Sequence, residues 1–122
     1  MQEQYVRTAM LVGEEGVAKL RAAAVAVFGL GGVGSFAAEA LARAGVGRLL
    51  LVDDDVVAPS NLNRQLIALR STIGQPKALV IRARIADIDP DTVVEARVAR
   101  YEAATAEAFD LAAYDYIIDA ID

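Results

Sequence analysis

The stretch from Val25 to Gly34 constrains this chain more than any other, because an apolar run there enters a cluster of glycines. The run is typical of a buried strand, and an alanine-rich helical pattern follows over residues 36–44. At a turn between a strand and a helix, backbone N–H groups can approach phosphate oxygens, and the helix dipole adds positive potential. The pattern predicts a nucleotide-phosphate site, although such a turn also occurs where helix and strand only pack closely. The glycines of the turn are Gly29, Gly31, Gly32 and Gly34.

The next apolar run ends in an acid that suits the sugar of a nucleotide. Residues 48–53 are predicted to form the second strand, and Asp53 follows Gly34 by 19 residues. In a parallel strand–helix–strand unit, a carboxylate at this position accepts hydrogen bonds from ribose hydroxyls. Asp53 suits NAD and ATP equally, so the turn and the acid leave an NAD oxidoreductase open. The alternative, a solvated acid at a strand end, applies instead to one of its neighbours, Asp54 or Asp55.

The composition narrows the possible chemistry. The chain has 122 residues, enough for one domain with a core, and contains neither cysteine nor histidine. Disulfides, thiolate zinc sites, a cysteine nucleophile and an imidazole base are therefore excluded from this stretch. Seventeen acidic against twelve basic residues give a net charge of −5, which disfavours nucleic-acid binding. The exception is residues 64–84, which hold five basic residues and no acid and form either a solvated face or a surface for a polyanion.

The chain lacks the signals of membrane insertion and export. No run of 18 apolar residues occurs, so we expect no membrane span. The charged N-terminal stretch does not resemble a signal peptide. We therefore expect a cytoplasmic protein that has no membrane partner.

Strand and helix patterns alternate along the chain. Apolar runs predict strands near residues 25–29, 49–53, 93–97 and 116–119, and helical periodicity predicts helices near 3–22, 33–44, 76–89 and 105–112. Pro76 is predicted at the first position of its helix, where the missing N–H is harmless. This alternation predicts an α/β, Rossmann-like three-layer fold with a mainly parallel sheet. Residues 3–22 are predicted to form one or two short helices, and their candidate buried positions are Tyr5, Met10, Leu11, Val17 and Leu20.

We divide the chain into an N-terminal helical segment, residues 1–24, and a Rossmann-like nucleotide-binding domain, residues 25–122. The last predicted strand reaches the carboxyl edge of the sheet, where open α/β folds bind ligands. A doubly wound domain normally continues with further strands. We therefore expect the domain to be truncated at its C-terminal side, and the chain to be part of a protein about twice as long.

Four further segments match spacings that a simple NAD domain does not need, at residues 5–8, 60–65, 74–77 and 119–122. With the glycine turn and Asp53, they resemble the nucleotide half of the ubiquitin-activating-type superfamily of ThiF, MoeB and HesA, across essentially the whole chain. That superfamily includes the bacterial adenylyltransferases of thiamine and molybdopterin biosynthesis. The chain resembles one branch better, the tRNA threonylcarbamoyladenosine dehydratases, on residues 31–35, 38–43, 63–70 and 118–122.

This resemblance implies an ATP-dependent and magnesium-dependent homodimer that acts on tRNA. Such enzymes adenylate the threonyl carboxylate of threonylcarbamoyladenosine, and the side chain then closes on itself with net loss of water. Adenylation needs positioning and charge neutralisation rather than a protein nucleophile, so the absence of cysteine and histidine fits it. Two alternatives stay open: an adenylyltransferase that activates the C-terminal glycine of a ubiquitin-like sulfur carrier protein, and a nucleotide-binding module without turnover.

The resemblance also implies a role for individual residues at one ATP site. Arg7, Arg64 and Lys77 are the implied catalytic residues, although each would be an ordinary solvated cation without the flanking motifs. The full set is Arg7 for the ATP site of the neighbouring subunit, Gly29, Gly31, Gly32 and Gly34 for the phosphate turn, Asp53 for the ribose, Asn61 and Arg64 for the phosphates with Gln65 in support, Lys77 for the charge that develops on the phosphoryl oxygens, and Asp122 for magnesium.

Overall fold

The computed structural model describes residues 2–122. Short 3-10 helices lie at Glu3–Tyr5, Pro59–Asn63, Ala106–Ala108 and Leu111–Ala113. The longer elements, in chain order, are α1 Val6–Ala22, β1 Ala24–Phe28, α2 Gly34–Ala44, β2 Arg48–Asp53, α3 Lys77–Ile88, β3 Val93–Val98 and β4 Tyr116–Asp119. Within residues 2–122, no helix combines the length and the apolarity that crossing a membrane requires.

The strands of residues 2–122 form one parallel sheet in the order β3-β2-β1-β4, which confirms the predicted parallel sheet. β1 lies inside the sheet and pairs Phe28 with Val52 of β2 and with Asp119 of β4. All five residues of β1 are buried, which explains its continuous apolar sequence. Because the strands run in the same direction, their carboxyl ends meet at one edge of the sheet, where the glycine turn begins at Gly29.

The two faces of the sheet are covered in different ways. Helices α2 and α3 pack on one face, around a core that includes Leu49 and Ile81. The other face carries Phe28, and the irregular segment 99–114 covers it through Phe109. This segment follows β3 directly, so it starts at the carboxyl edge of the sheet.

The predicted helix at residues 105–112 is wrong. Two short 3-10 helices lie there instead, separated by Phe109 in an extended conformation. The Phe109 ring is buried against Phe28 and Tyr101, with ring centroids 5.5 and 5.4 Å away. The extended backbone at Phe109 allows this insertion and interrupts the helix, so tertiary packing overrides the helical propensity of the segment.

Helix α1 places its apolar side chains differently from the prediction. Tyr5, just before it, and Val17 are buried as predicted, whereas Met10 and Leu11 are 79% and 89% exposed, so their predicted burial is wrong. The physical reason is Gly13, whose φ of 74° interrupts α1. The interruption breaks the 3.6-residue periodicity, so side chains before and after Gly13 do not share one buried face.

A buried cluster of Tyr5, Arg21 and Asp89 connects the N-terminal segment to the end of α3. The hydroxyl of Tyr5 donates a hydrogen bond to the fully buried carboxylate of Asp89, and the guanidinium of Arg21 lies 2.7 Å from the same carboxylate. Burial raises the pKa of Asp89, but hydrogen bonds from Tyr5 and the Asp91 backbone, with the charge of Arg21, hold that pKa below its ordinary value. Burial and the adjacent Asp89 carboxylate raise the pKa of Tyr5 to about 12.

Helix α3 begins at Lys77, one residue later than predicted. Pro76 is the N-cap, and its ψ of 129° leaves it extended. Val56 and Pro76 form an isolated antiparallel bridge, beside which the N–H of Val57 donates to the carbonyl of Gln75 at 2.9 Å. The bridge joins the loop after β2 to the start of α3, and so brings Lys77 to the carboxyl edge of the sheet.

Candidate functional site

A cavity of about 660 Å³ opens at the carboxyl edge of the sheet. Its walls come from the glycine turn, the end of β2, the start of α3, the segment after β3 and residues 120–122. The volume lies within the range of small-molecule sites, and open α/β sheets bind their ligands at this edge. The polar and charged side chains that line it belong to Asp53, Asp54, Asp55, Arg64, Gln65, Lys77, Arg100, Tyr101, Glu102 and Asp122.

The four glycines of the turn divide into two pairs. Gly29 has a φ of 89°, and a Cβ on the buried Gly34 would lie 1.7 Å from the carbonyl oxygen of Gly29, so the backbone requires both glycines. A Cβ on Gly31 or Gly32 would meet only side-chain atoms of residues 64–65, at 3.5 and 4.0 Å. Gly29, Gly31 and Gly32 line the cavity, and Gly34 does not. The fold itself does not require glycine at positions 31 and 32. The absence of side chains there leaves space in the cavity for a ligand, as a phosphate-binding turn requires.

Asp53 connects the end of β2 to the glycine turn. One carboxylate oxygen accepts the backbone N–H of Leu30, and the other accepts that of Asp55, both at 2.7 Å. These bonds hold the half-buried side chain at the wall of the cavity. Each oxygen keeps a second lone pair, so Asp53 can still accept hydrogen bonds from the hydroxyls of a ribose.

Lys77 places an ammonium group in the wall of the cavity. The residue is only 5% exposed and is the first residue of α3. Its backbone N–H donates to the carbonyl of Asp55 at 3.0 Å, and its Nζ lies 3.9 Å from Oδ2 of Asp55. Because a charge removed from water needs a counter-charge, this ammonium favours an anionic ligand in the cavity.

The short helix Pro59–Asn63 brings Arg64 and Gln65 to the glycine turn. The guanidinium of Arg64 donates to two oxygens of that helix, at 3.1 and 3.0 Å. Gln65 is buried, its Oε1 has no partner within the described part of the chain, and its Nε2 faces Gly31. An unpaired buried acceptor is costly, so a ligand that donates a hydrogen bond to this oxygen would be favoured at the cavity wall.

Two further predicted site residues, in addition to Gly34, lie outside the cavity wall. Asn61 is buried, and its Oδ1 accepts the N–H of Ala58 at 2.8 Å, which fixes the short helix before Arg64. Arg7 is exposed on α1 and does not line the cavity. The contacts of Asn61 and Arg7 with a nucleotide therefore stay predictions. Asp122, in contrast, does line the cavity.

Residues 99–102 form one wall of the cavity, and none of them is among the predicted site residues. The ring of Tyr101 packs at 4.6 Å from that of Phe28, between centroids, and Arg100 pairs with Glu102 at 3.4 Å. An aromatic wall of this kind suits a planar base. Topology is the signal that could have identified it, because residues that follow a parallel strand share the edge at which the glycine turn lies.

Negative charge exceeds positive charge among the lining residues. Five carboxylates and three cationic side chains line the cavity. Carboxylate oxygens of Asp53, Asp54 and Asp55 lie within 4.8 Å of one another, and Asp122 lies in the same cavity. Carboxylates are ligands that Mg²⁺ prefers, so an oxygen-liganded cation would relieve the repulsion that a bound phosphate meets here.

Together, the parallel sheet, the glycine turn and Asp53 at the carboxyl end of β2 define a Rossmann-like domain of the kind that binds nucleotides. The model of the ThiF family matches residues 5–122, and the chain belongs to this family. It is 54% identical over 122 residues to the tRNA threonylcarbamoyladenosine dehydratase of Bacillus subtilis, covering 100% of this chain and 48% of that protein. The family resemblance predicted from the motifs is confirmed.

Two further relatives carry the names of two different kinds of enzyme, a dehydratase and an adenylyltransferase. The crystal structure of Escherichia coli tRNA N6-threonylcarbamoyladenosine dehydratase in complex with ATP matches with a TM-score of 0.95 and 41% identity, covering 98% of this chain and 49% of that chain. The sulfur carrier protein adenylyltransferase of Thermus thermophilus is 39% identical over 122 residues, covering 98% of this chain and 45% of that protein. The chain thus spans about half the length of the relatives it matches.

Proposed function

We propose that the protein is an ATP-dependent dehydratase. It adenylates the threonyl carboxylate of threonylcarbamoyladenosine in tRNA, and the activated side chain closes on itself with net loss of water. The observation that carries this proposal is the cavity where the glycine turn, Asp53 and the buried Lys77 meet, in a chain 54% identical to the Bacillus dehydratase. ATP supplies the adenylyl group when bound, and pyrophosphate leaves.

The residues of the cavity suit this chemistry in different ways. The ammonium of Lys77 neutralises the charge that develops on phosphoryl oxygens, and its burial strengthens that effect. Arg64 presents a planar fork that matches phosphate oxygens, and the Nε2 of Gln65, which faces Gly31, supplies a donor next to the turn. Asp53 accepts the ribose hydroxyls. Binding by these groups orients the α-phosphate toward the attacking carboxylate.

Magnesium is part of the proposal because the cavity carries more carboxylates than cations. A triphosphate that enters a cavity of net negative charge needs a counter-ion, and Mg²⁺ binds phosphate and carboxylate oxygens together. Asp122 lies in the cavity wall and is the proposed carboxylate ligand.

We also propose a cytoplasmic homodimer with tRNA as its substrate. Arg7 does not line the cavity of its own chain, so a role at a nucleotide requires the cavity of a second chain. Beside it on α1, Val6, Met10 and Leu11 are exposed apolar side chains that a second subunit would cover.

The test of this function is mass spectrometry of nucleosides from tRNA that bears threonylcarbamoyladenosine. The tRNA is incubated with the purified protein, ATP and magnesium, and we expect that nucleoside to lose the mass of one water molecule. Omitting ATP is the control and must abolish the change. An unchanged nucleoside, with ATP converted to AMP and pyrophosphate on another substrate, would contradict the proposal.

A second candidate is an adenylyltransferase for a ubiquitin-like sulfur carrier protein, which the 39% identity to the Thermus enzyme favours. Its test is pyrophosphate release that depends on a carrier protein ending in glycine and not on tRNA. A nucleotide-binding module would bind ATP and release no pyrophosphate with either substrate. An NAD oxidoreductase would bind NADH in competition with ATP.

Replacing Gly31 with alanine is expected to weaken ATP binding about tenfold or more, with little change in thermal stability. The methyl group fits the folded chain, because its nearest neighbour is 3.5 Å away, but it occupies the space beside the turn. Calorimetric titration with ATP and thermal unfolding measure the two effects. Gly34→Ala is the matched comparison, because its Cβ meets backbone at 1.7 Å and should destabilise the fold itself. A Gly31→Ala variant that binds ATP normally would contradict the phosphate-binding turn.

A further inference from the structure

The two lysines of this chain lie in opposite environments. Lys19 is exposed on α1, whereas Lys77 is 5% exposed in the wall of the cavity. An ammonium removed from water is costly unless a carboxylate lies nearby. Among residues 2–122, Asp55 is the acid within 4.0 Å of the Lys77 Nζ, at 3.9 Å.

Asp55 itself is held firmly by its backbone. Its N–H donates to Asp53 at 2.7 Å, and its carbonyl accepts the N–H of Lys77 at 3.0 Å. The bridge between Val56 and Pro76 follows directly, so the backbones on both sides of the Asp55–Lys77 pair are joined. The Asp55 side chain remains 71% exposed, at the cavity rather than in the core. The backbone of Asp55 is thus fixed, while its exposed carboxylate lies next to the buried ammonium of Lys77.

We propose that Asp55 is a positioning residue that holds the ammonium of Lys77 at the cavity until phosphate oxygens replace it. This inference rests on the proposed function, because it assigns the step at which Lys77 meets a nucleotide. At 3.9 Å the pair is looser than a hydrogen bond, so a phosphate oxygen can displace the carboxylate at little cost. The carboxylate therefore competes with the ligand for Lys77 while keeping it aimed at the cavity.

The first test measures the Lys77 contact without requiring turnover. The purified protein is treated briefly with acetic anhydride, and acetylation of the two lysines is compared by peptide mass spectrometry, with exposed Lys19 as internal reference. We expect Lys77 to react more slowly than Lys19 and to slow further with ATP and magnesium. Asp55→Asn should raise the labelling of Lys77 relative to Lys19 about fivefold, whereas Asp55→Glu should largely restore protection. Unchanged relative labelling of Lys77 in Asp55→Asn would overturn the proposal.

The second test separates positioning from charge. Asp54→Asn removes the same charge from the same cavity wall, from a side chain that is in no ion pair with Lys77. Each variant removes one negative charge and one carboxylate of the same acidic cluster, so the two variants should bind ATP with affinities within a few-fold of each other. Asp55→Asn should also lower kcat about tenfold relative to Asp54→Asn, with KM for ATP no higher. Equal kcat values in the two variants would overturn the proposal.

The two tests also distinguish this inference from the proposed function. Altered labelling of Lys77 in Asp55→Asn, in a protein that leaves threonylcarbamoyladenosine unchanged, would support the positioning contact and overturn the dehydratase. Unaltered labelling in a protein that does dehydrate the nucleoside would overturn the positioning role alone.

Discussion

Replacing Lys77 with alanine is expected to lower the rate of adenylation by about two to three orders of magnitude, while ATP affinity falls far less. The ammonium is buried in the cavity wall, where the lower dielectric strengthens its attraction to charge that develops on phosphoryl oxygens. An interaction that strengthens in the transition state raises kcat more than it raises binding. Single-turnover formation of AMP and pyrophosphate measures the rate, and calorimetric titration measures the affinity.

The control for this prediction is Lys19→Ala, which removes the other lysine of the chain from an exposed face of α1. It should leave the rate and the affinity at their native values. Lys77→Arg tests geometry, because a guanidinium keeps the charge but not the compact shape of an ammonium. Equal losses of rate and affinity in Lys77→Ala would show that Lys77 contributes to ATP binding only. The positioning role proposed for Asp55 in the reaction would then be contradicted as well.

Replacing Asp89 with alanine is expected to lower the free energy of unfolding by about 3 kcal/mol, a large share of the stability of a domain of this size. The carboxylate is fully buried, and its loss leaves the hydroxyl of Tyr5 and the guanidinium of Arg21 without their shared partner. Urea unfolding of the native and variant proteins measures the difference. Asp91→Ala is the matched control, because that side chain is exposed and only meets Gln2.

The same cluster predicts how stability depends on pH. The folded-state pKa of Asp89 is lowered, so its contribution is complete above the unfolded pKa near 4 and is lost as pH falls through the folded value. The pKa of Tyr5 is raised to about 12, so its contribution is complete below pH 10 and is lost between about pH 10 and 12. Tyr5→Phe should remove the alkaline loss and keep the acid loss. If Tyr5→Phe loses as much stability above pH 10 as the native protein does, groups other than Tyr5 cause the alkaline loss.

The sheet and the glycine turn are predictable from the sequence, and physical reasons explain why. Buried parallel strands are continuous apolar runs, so β1 and β2 stand out from their surroundings. The helix expected at residues 105–112 fails because the burial of Phe109 is a tertiary effect that local propensity does not contain. Burial of Met10 and Leu11 fails for a local reason, the positive φ of Gly13, which periodicity ignores.

The candidate site is partly predictable for a similar reason. Asp53, Lys77 and Arg64 lie in motifs whose spacing can be recognised in the chain, and the structure brings all three to one cavity. Tyr101 and Asp55 lie in no such motif. Their places at the cavity follow from the parallel order of the strands and from the bridge at Val56 and Pro76, which are long-range features.

The unequal cover of the two sheet faces has a consequence for how this protein can evolve. The side of the cavity that carries Lys77 is built from the turn before α2 and from bridged backbone at residues 53–57 and 74–77. The side formed by Tyr101 belongs to segment 99–114, which has no α-helix and packs on the sheet through Phe109, with Tyr101, Leu111 and Tyr114 around it. At the exposed positions of that segment, away from this apolar cluster, substitutions have a small effect on stability. Evolution can thus vary the cavity wall beside Tyr101 without disturbing the backbone that holds Lys77 and the glycine turn.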